Sequence, residues 1–125
     1  MNVMKGMDNK FDERKARGAT TGDEAQEAII EFIREGQGAQ SRHNVANKSQ
    51  GFDLYLPWLI EVIEYVEPYD EKEALPILQL HRLYMDSAWK MVMMGILRPG
   101  PKSLSSGSES NTYGRAFSLI EGVAL

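Results

Sequence analysis

The run from Ile77 to Leu119 constrains this chain more than any other. Apolar side chains crowd its first part: Ile77, Leu78, Leu80, Leu83, Tyr84, Met85, Ala88, Trp89, Met91, Val92, Met93 and Met94. A single helix this apolar would be buried on most of its sides. Two helices meeting near Tyr84–Asp86 account for the density better, with Pro76 opening the first and Asp86 capping the second. Gly95 stops the helical stretch, Ile96-Leu97-Arg98 reads as a short strand, and Pro99-Gly100-Pro101 breaks it. The polar run from Lys102 to Asn111 reads as a flexible loop. From Thr112 onward, Tyr113, Arg115, Phe117 and Leu119 alternate with small residues, which predicts a second strand.

Upstream, residues 1–22 are polar and basic without apolar periodicity, so a flexible basic arm is expected, either a frayed terminus or an arm that touches phosphate. Residues 23–35 predict a helix with Asp23 as cap, Glu24 and Glu27 near its positive end, and Gly36 as its stop. Its face is Ala25, Ile29, Phe32 and Ile33. Residues 36–52 form a long polar connection whose one suggestive cluster, Arg42-His43-Asn44, reads as surface loop. Residues 53–67 predict the clearest helix, capped by Asp53, with Pro57 in its first turn, Trp58 as a core anchor and Pro68 as its end. Asp70-Glu71-Lys72-Glu73 has the form of a capping box, and the prolines make it a separate turn ahead of the helix at Pro76. The expected organisation is thus a basic arm (1–22), a helix and long loop (23–52), and a compact unit (53–125).

Such a length suits one domain, and an apolar fraction of 42% is ordinary for a globular chain. Without cysteine, disulfides and thiolate-ligated zinc are excluded. No run of 18 apolar residues is present, and the first residues lack an apolar signal core, so a cytoplasmic protein without membrane partner is expected. The net charge of −4 is unevenly spread. Residues 1–20 and 80–125 each carry five positive and three negative groups, whereas residues 53–79 carry one positive and seven negative. This modest basic excess counts against strong non-specific binding to nucleic acid. General acid–base or nucleophilic catalysis needs positioned pairs, and His43 and His81 lie in unrelated contexts, so no catalytic residues, cofactor or metal are expected. Glu61, Glu64 and Glu67 read as the solvated face of a helix.

Taken together, residues 53–120 resemble the winged helix-turn-helix superfamily. The likeness lies in the three expected helices, in Ala88-Trp-Lys-Met-Val-Met-Met-Gly-Ile-Leu97 as the end of a third helix, and in Tyr113-Gly-Arg-Ala-Phe-Ser-Leu-Ile120 before Glu121-Gly122 as a returning wing strand. It implies a mainly α protein with a small β-hairpin (α+β), carrying an extra N-terminal helix. It also implies a DNA-binding module, such as a small transcriptional regulator, with the third helix in the major groove and the wing on the backbone or minor groove of duplex DNA. By position, Ser87, Lys90 and Asp86 would be third-helix contacts. Arg98, Lys102, Ser103, Ser105, Ser106 and Arg115 would belong to the wing, and His81 and Arg82 to the second helix. The third helix offers few donors for base edges. The alternative is therefore a protein-interaction or dimerisation adaptor on the same scaffold, with the N-terminal helix able to hold two copies together.

Overall fold

The computed structural model describes residues 11–37, 51–99 and 116–123. Among the described residues, four helices and three short strands follow in the order α1 (Glu13–Arg17), α2 (Gly22–Gln37), β1 (Leu54–Tyr55), α3 (Leu56–Ile63), α4 (Ile77–Met93), β2 (Leu97–Pro99) and β3 (Ala116–Leu119). The architecture is α+β. The strands form one antiparallel sheet in the order β1-β3-β2.

Helix α4 runs unbroken for 17 residues, about 25 Å. This corrects the two-helix expectation. Its apolar density has another cause: α4 is sandwiched, with α2 on one side and the sheet on another. Leu80, Tyr84, Ser87, Ala88 and Met91 are fully buried, and Leu83, Met85, Trp89 and Val92 pack on that core. Asp86, expected as a cap, is exposed in mid-helix. The Gly95 stop is as expected. Gly95 has φ +84°, its N–H donates to Val92 at 3.1 Å, and the Ile96 N–H donates to Met91 at 3.0 Å. Those two bonds form a Schellman motif, which needs a left-handed residue at this position.

The predicted 53–67 helix is shorter at both ends. Leu54 and Tyr55 pair with Phe117 and Ala116, so the sheet captures the first residues before the helix can begin. Asp53 does not cap a helix. Its Oδ2 accepts from the Leu119 N–H at 2.8 Å, and its own N–H donates to Phe117 at 3.0 Å. Helix α3 then starts with Pro57 in its first turn and ends at Ile63. Trp58 is half-buried rather than a core anchor and meets Tyr55 edge-on at 4.9 Å. The separate turn at 70–73 is present, with the Lys72 N–H held by Asp70 at 3.1 Å.

Helix α2 begins one residue earlier than expected and is capped by Thr21, not Asp23. The Thr21 hydroxyl accepts from the Glu24 N–H at 3.2 Å, and the Glu24 carboxylate accepts from the N–H groups of Thr20 and Thr21 at 2.8 and 3.3 Å. This is a capping box, and the Thr20 bond comes first among the causes that hold the Glu24 carboxyl below its ordinary range. The helix also extends past Gly36 to Gln37. Its predicted face, Ala25, Ile29, Phe32 and Ile33, is buried against the rest of the chain. That stripe is therefore occupied within one protomer and is not the surface that would join two copies.

Residues 11–22 do not behave as an arm. Phe11, Ala16 and Ala19 are buried, and Phe11 meets Phe32 edge-on at 5.2 Å. The boundaries drawn at 22 and 52 accordingly do not divide the core, which takes side chains from all of α1, α2, α3 and α4. The first ten residues, and the Arg42-His43-Asn44 cluster, lie outside the described residues.

Candidate functional site

The outward side of α4 brings together three of the expected contacts, Arg82, Asp86 and Lys90. Leu78, Gln79, Arg82, Asp86, Lys90 and Met93 are exposed along it. Arg82, Asp86 and Lys90 recur every four residues and so form one line. Asp86 stands between the two cations and reduces their joint field. Of the other expected third-helix contacts, Ser87 is only 2% exposed and lies beneath the first turn of α2, where a Cβ on Gly22 would come within 3.9 Å of its hydroxyl. It cannot reach a nucleic acid. The reason is the helical period: one residue past Asp86 turns about 100° away from solvent. His81 is half-buried.

Beyond the Schellman stop, Arg98 is exposed on β2. Its strand neighbour Leu97 is buried on the core face, as is Phe117, whose ring meets Trp89 of α4 at 5.2 Å. Strand alternation puts Arg98 on the opposite face of the sheet. Arg98 is therefore not on the same surface as Leu97 and Phe117, although it lies in the segment that follows α4. Lys102, Ser103, Ser105, Ser106 and Arg115 lie outside the described residues.

What holds α4 in place was not anticipated from the sequence. Helix α1 and its flanks fasten the α3–α4 connection from outside. The Tyr84 hydroxyl of α4 donates to the Ala16 carbonyl at 2.6 Å inside the core. Arg17 donates to the Leu75 carbonyl at 3.0 Å, and Arg14 donates to the Glu67 carbonyl at 3.3 Å while standing 4.4 Å from the Tyr69 ring centroid. Tyr69 in turn donates to Asp12 at 2.6 Å. Burial alone would raise the Asp12 carboxyl, but the bonds from Tyr69 and from the Lys15 N–H outweigh it and hold the group below its ordinary range. Burial pushes the Tyr84 hydroxyl far above its ordinary value, so it remains a donor. The sequence signal was faint: one phenylalanine and two alanines among charged residues.

Among the described residues, no group of three or more histidine, aspartate or glutamate side chains is gathered to hold a metal ion, and no helix is long and apolar enough to cross a membrane. A groove of about 410 Å³ lies between the end of α3 and the start of α4. No family model matches the chain, and no curated protein or solved structure does either.

Proposed function

We propose that this chain is a winged helix-turn-helix protein that binds duplex DNA, with α2, α3 and α4 as its three helices and α4 as the helix presented to the groove. The observation that carries this reading is the order of elements around α4. A helix with an outward line of Arg82, Asp86 and Lys90 ends in a glycine stop, and the strand that follows pairs with β3, which also pairs with the strand ahead of α3. That double pairing ties the base of the β2–β3 hairpin to the helical unit, so helix and hairpin would meet a duplex as one rigid body. This assignment moves the three-helix unit toward the N-terminus relative to the sequence expectation, and β1 lies between its first two helices.

Arg82 and Lys90 would act mainly on phosphate, because the face offers few groups for base edges. The measurement is fluorescence anisotropy with a random-sequence duplex over a range of salt concentrations. Wild type is expected to bind at low salt, with affinity falling steeply as salt rises. Arg82→Glu and Lys90→Glu should each weaken binding and reduce the salt slope by roughly one unit. A wild type that stays unbound at low salt, or that ignores salt, refutes the reading.

A second reading, a protein-interaction module on the same scaffold, is favoured by one observation: Leu78 is 75% exposed and Met93 86% exposed on the same helix. Apolar side chains on an outward face suit a protein surface. If two copies meet there, Met93→Lys converts a dimer to a monomer in sedimentation. A wild type already monomeric at high concentration removes self-association by this face.

A further inference from the structure

The groove between α3 and α4 is lined largely by the acidic segment that joins them and takes no part in the proposed DNA contact. Tyr65, Pro68 and Leu75 line it together with Glu64, Glu67, Glu71 and Arg17, so its carboxylates outnumber its one cation, whose guanidinium is already turned to the Leu75 carbonyl. Pro68 is buried and Leu75 half-buried, so the floor is apolar; Tyr65 is 87% exposed. Duplex DNA is repelled by such a rim, and an extended cationic segment is attracted.

The chain itself shows which cation suits this connection. Arg14 stacks on Tyr69 at 4.4 Å and donates to the Glu67 carbonyl, and Arg17 donates to the Leu75 carbonyl. Both are arginines, and both use the planar guanidinium on a backbone oxygen, one of them together with an aromatic face. Arginine can do both because its charge is delocalised over a flat fork, which a lysine ammonium lacks. The groove offers a related set of partners, with a tyrosine ring, carboxylates and an apolar floor for the aliphatic stem.

We propose that this groove docks an extended, arginine-bearing segment of a partner protein, with a guanidinium over Tyr65 and paired to Glu67 or Glu71. The surface is separate from the outward line of α4, so it would allow the protein to hold a partner while α4 is engaged elsewhere.

The test uses the full chain and a short, labelled glycine–serine peptide carrying two arginines, with sister peptides carrying lysine or glutamate instead. Saturable anisotropy is expected for the arginine peptide at low salt, weaker binding for the lysine peptide, and none for the glutamate peptide. Glu67→Gln and Glu71→Gln should each weaken binding about threefold, the range of one exposed ion pair. Tyr65→Ala should weaken it by about the same factor through the lost cation–π contact. These side chains are solvent-facing, and an unchanged melting temperature checks that each variant is folded. Glu73→Gln, an exposed neighbour outside the groove lining, should leave affinity unchanged. Absence of saturable binding overturns the proposal. So does a lysine peptide that binds as tightly as the arginine peptide, or a Glu73→Gln loss equal to that of Glu71→Gln, since either marks a diffuse field rather than a site. Arg82→Glu separates the two proposals: it is expected to impair DNA binding and spare the peptide.

Discussion

Replacing Tyr84 by phenylalanine removes one oxygen from the centre of the molecule and tests whether α1 belongs to the folded core. The ring is completely buried in α4, and its hydroxyl donates to the Ala16 carbonyl at 2.6 Å. Phenylalanine preserves the ring packing, so no large cavity opens. Losing a buried partner costs most when the remaining group is left without any hydrogen bond. Here the Ala16 carbonyl retains the Ala19 N–H at 3.3 Å. The cost should therefore sit near the ordinary net value of about 1 kcal/mol. For a chain of this size, that corresponds to a melting temperature lower by roughly 3–6 °C. Urea unfolding gives the free energy, and native-state hydrogen exchange shows where it is lost. Protection should fall most at Ala16, Gly18 and Ala19, whose N–H groups form the turn that Tyr84 anchors. A Tyr84→Phe protein as stable as wild type would refute the clasp. A loss above about 3 kcal/mol would refute the magnitude, because it implies a cavity or an orphaned carbonyl that the geometry does not contain.

Two further outcomes follow from the same structure. Acid should weaken the fold through Asp12 and Glu24. Both carboxyls titrate below their ordinary range when folded, so the unfolded chain takes up protons first. Their contribution is complete above the ordinary carboxylate value and fades as pH falls through the depressed ones. Glu31, raised by burial, acts in the opposite sense, its contribution fading as pH rises through its folded value. Melting temperature against pH should therefore show an acid limb that flattens in the Asp12→Asn, Glu24→Gln double variant; an unchanged limb refutes the assignment. Gly95→Ala should cost about 1 kcal/mol, read by urea unfolding, because φ is +84° although open space surrounds the position. A neutral result would mean that the Schellman stop relaxes freely.

The sequence was most informative where a decision is local. Gly95 ended α4 as expected because a left-handed stop depends on one residue and the helix behind it. Pro76 marked the start of α4, and the face Ala25–Ile29–Phe32–Ile33 was legible because helical spacing places those side chains together without help. The mixed α+β class was also anticipated. Ser87 was misjudged as a contact because one step of helical rotation separates it from Asp86, and only the position of α2 reveals which of the two is covered.

The remaining features depended on partners distant in the chain. Leu54 and Tyr55 have helix-like neighbours but become a strand because Ala116 and Phe117 offer a ladder. Asp53 holds the Leu119 N–H instead of a helix end for the same reason. The density of α4 looked like two helices because periodicity counts apolar faces without saying how many elements will cover them. Residues 11–19 looked like a solvated arm because their charge dominates their composition. Arg14, Arg17 and Tyr84 bind carbonyls and a ring in other segments, and such bonds leave no periodic trace. The sequence alone therefore determined the Gly95 stop, the start of α4 and the buried face of α2, whose energetics lie within a turn or two of chain. Tertiary structure decided β1, the fastening of α1 on the α3–α4 connection and the covered side of α4, whose energetics come from groups that meet only when the chain is folded.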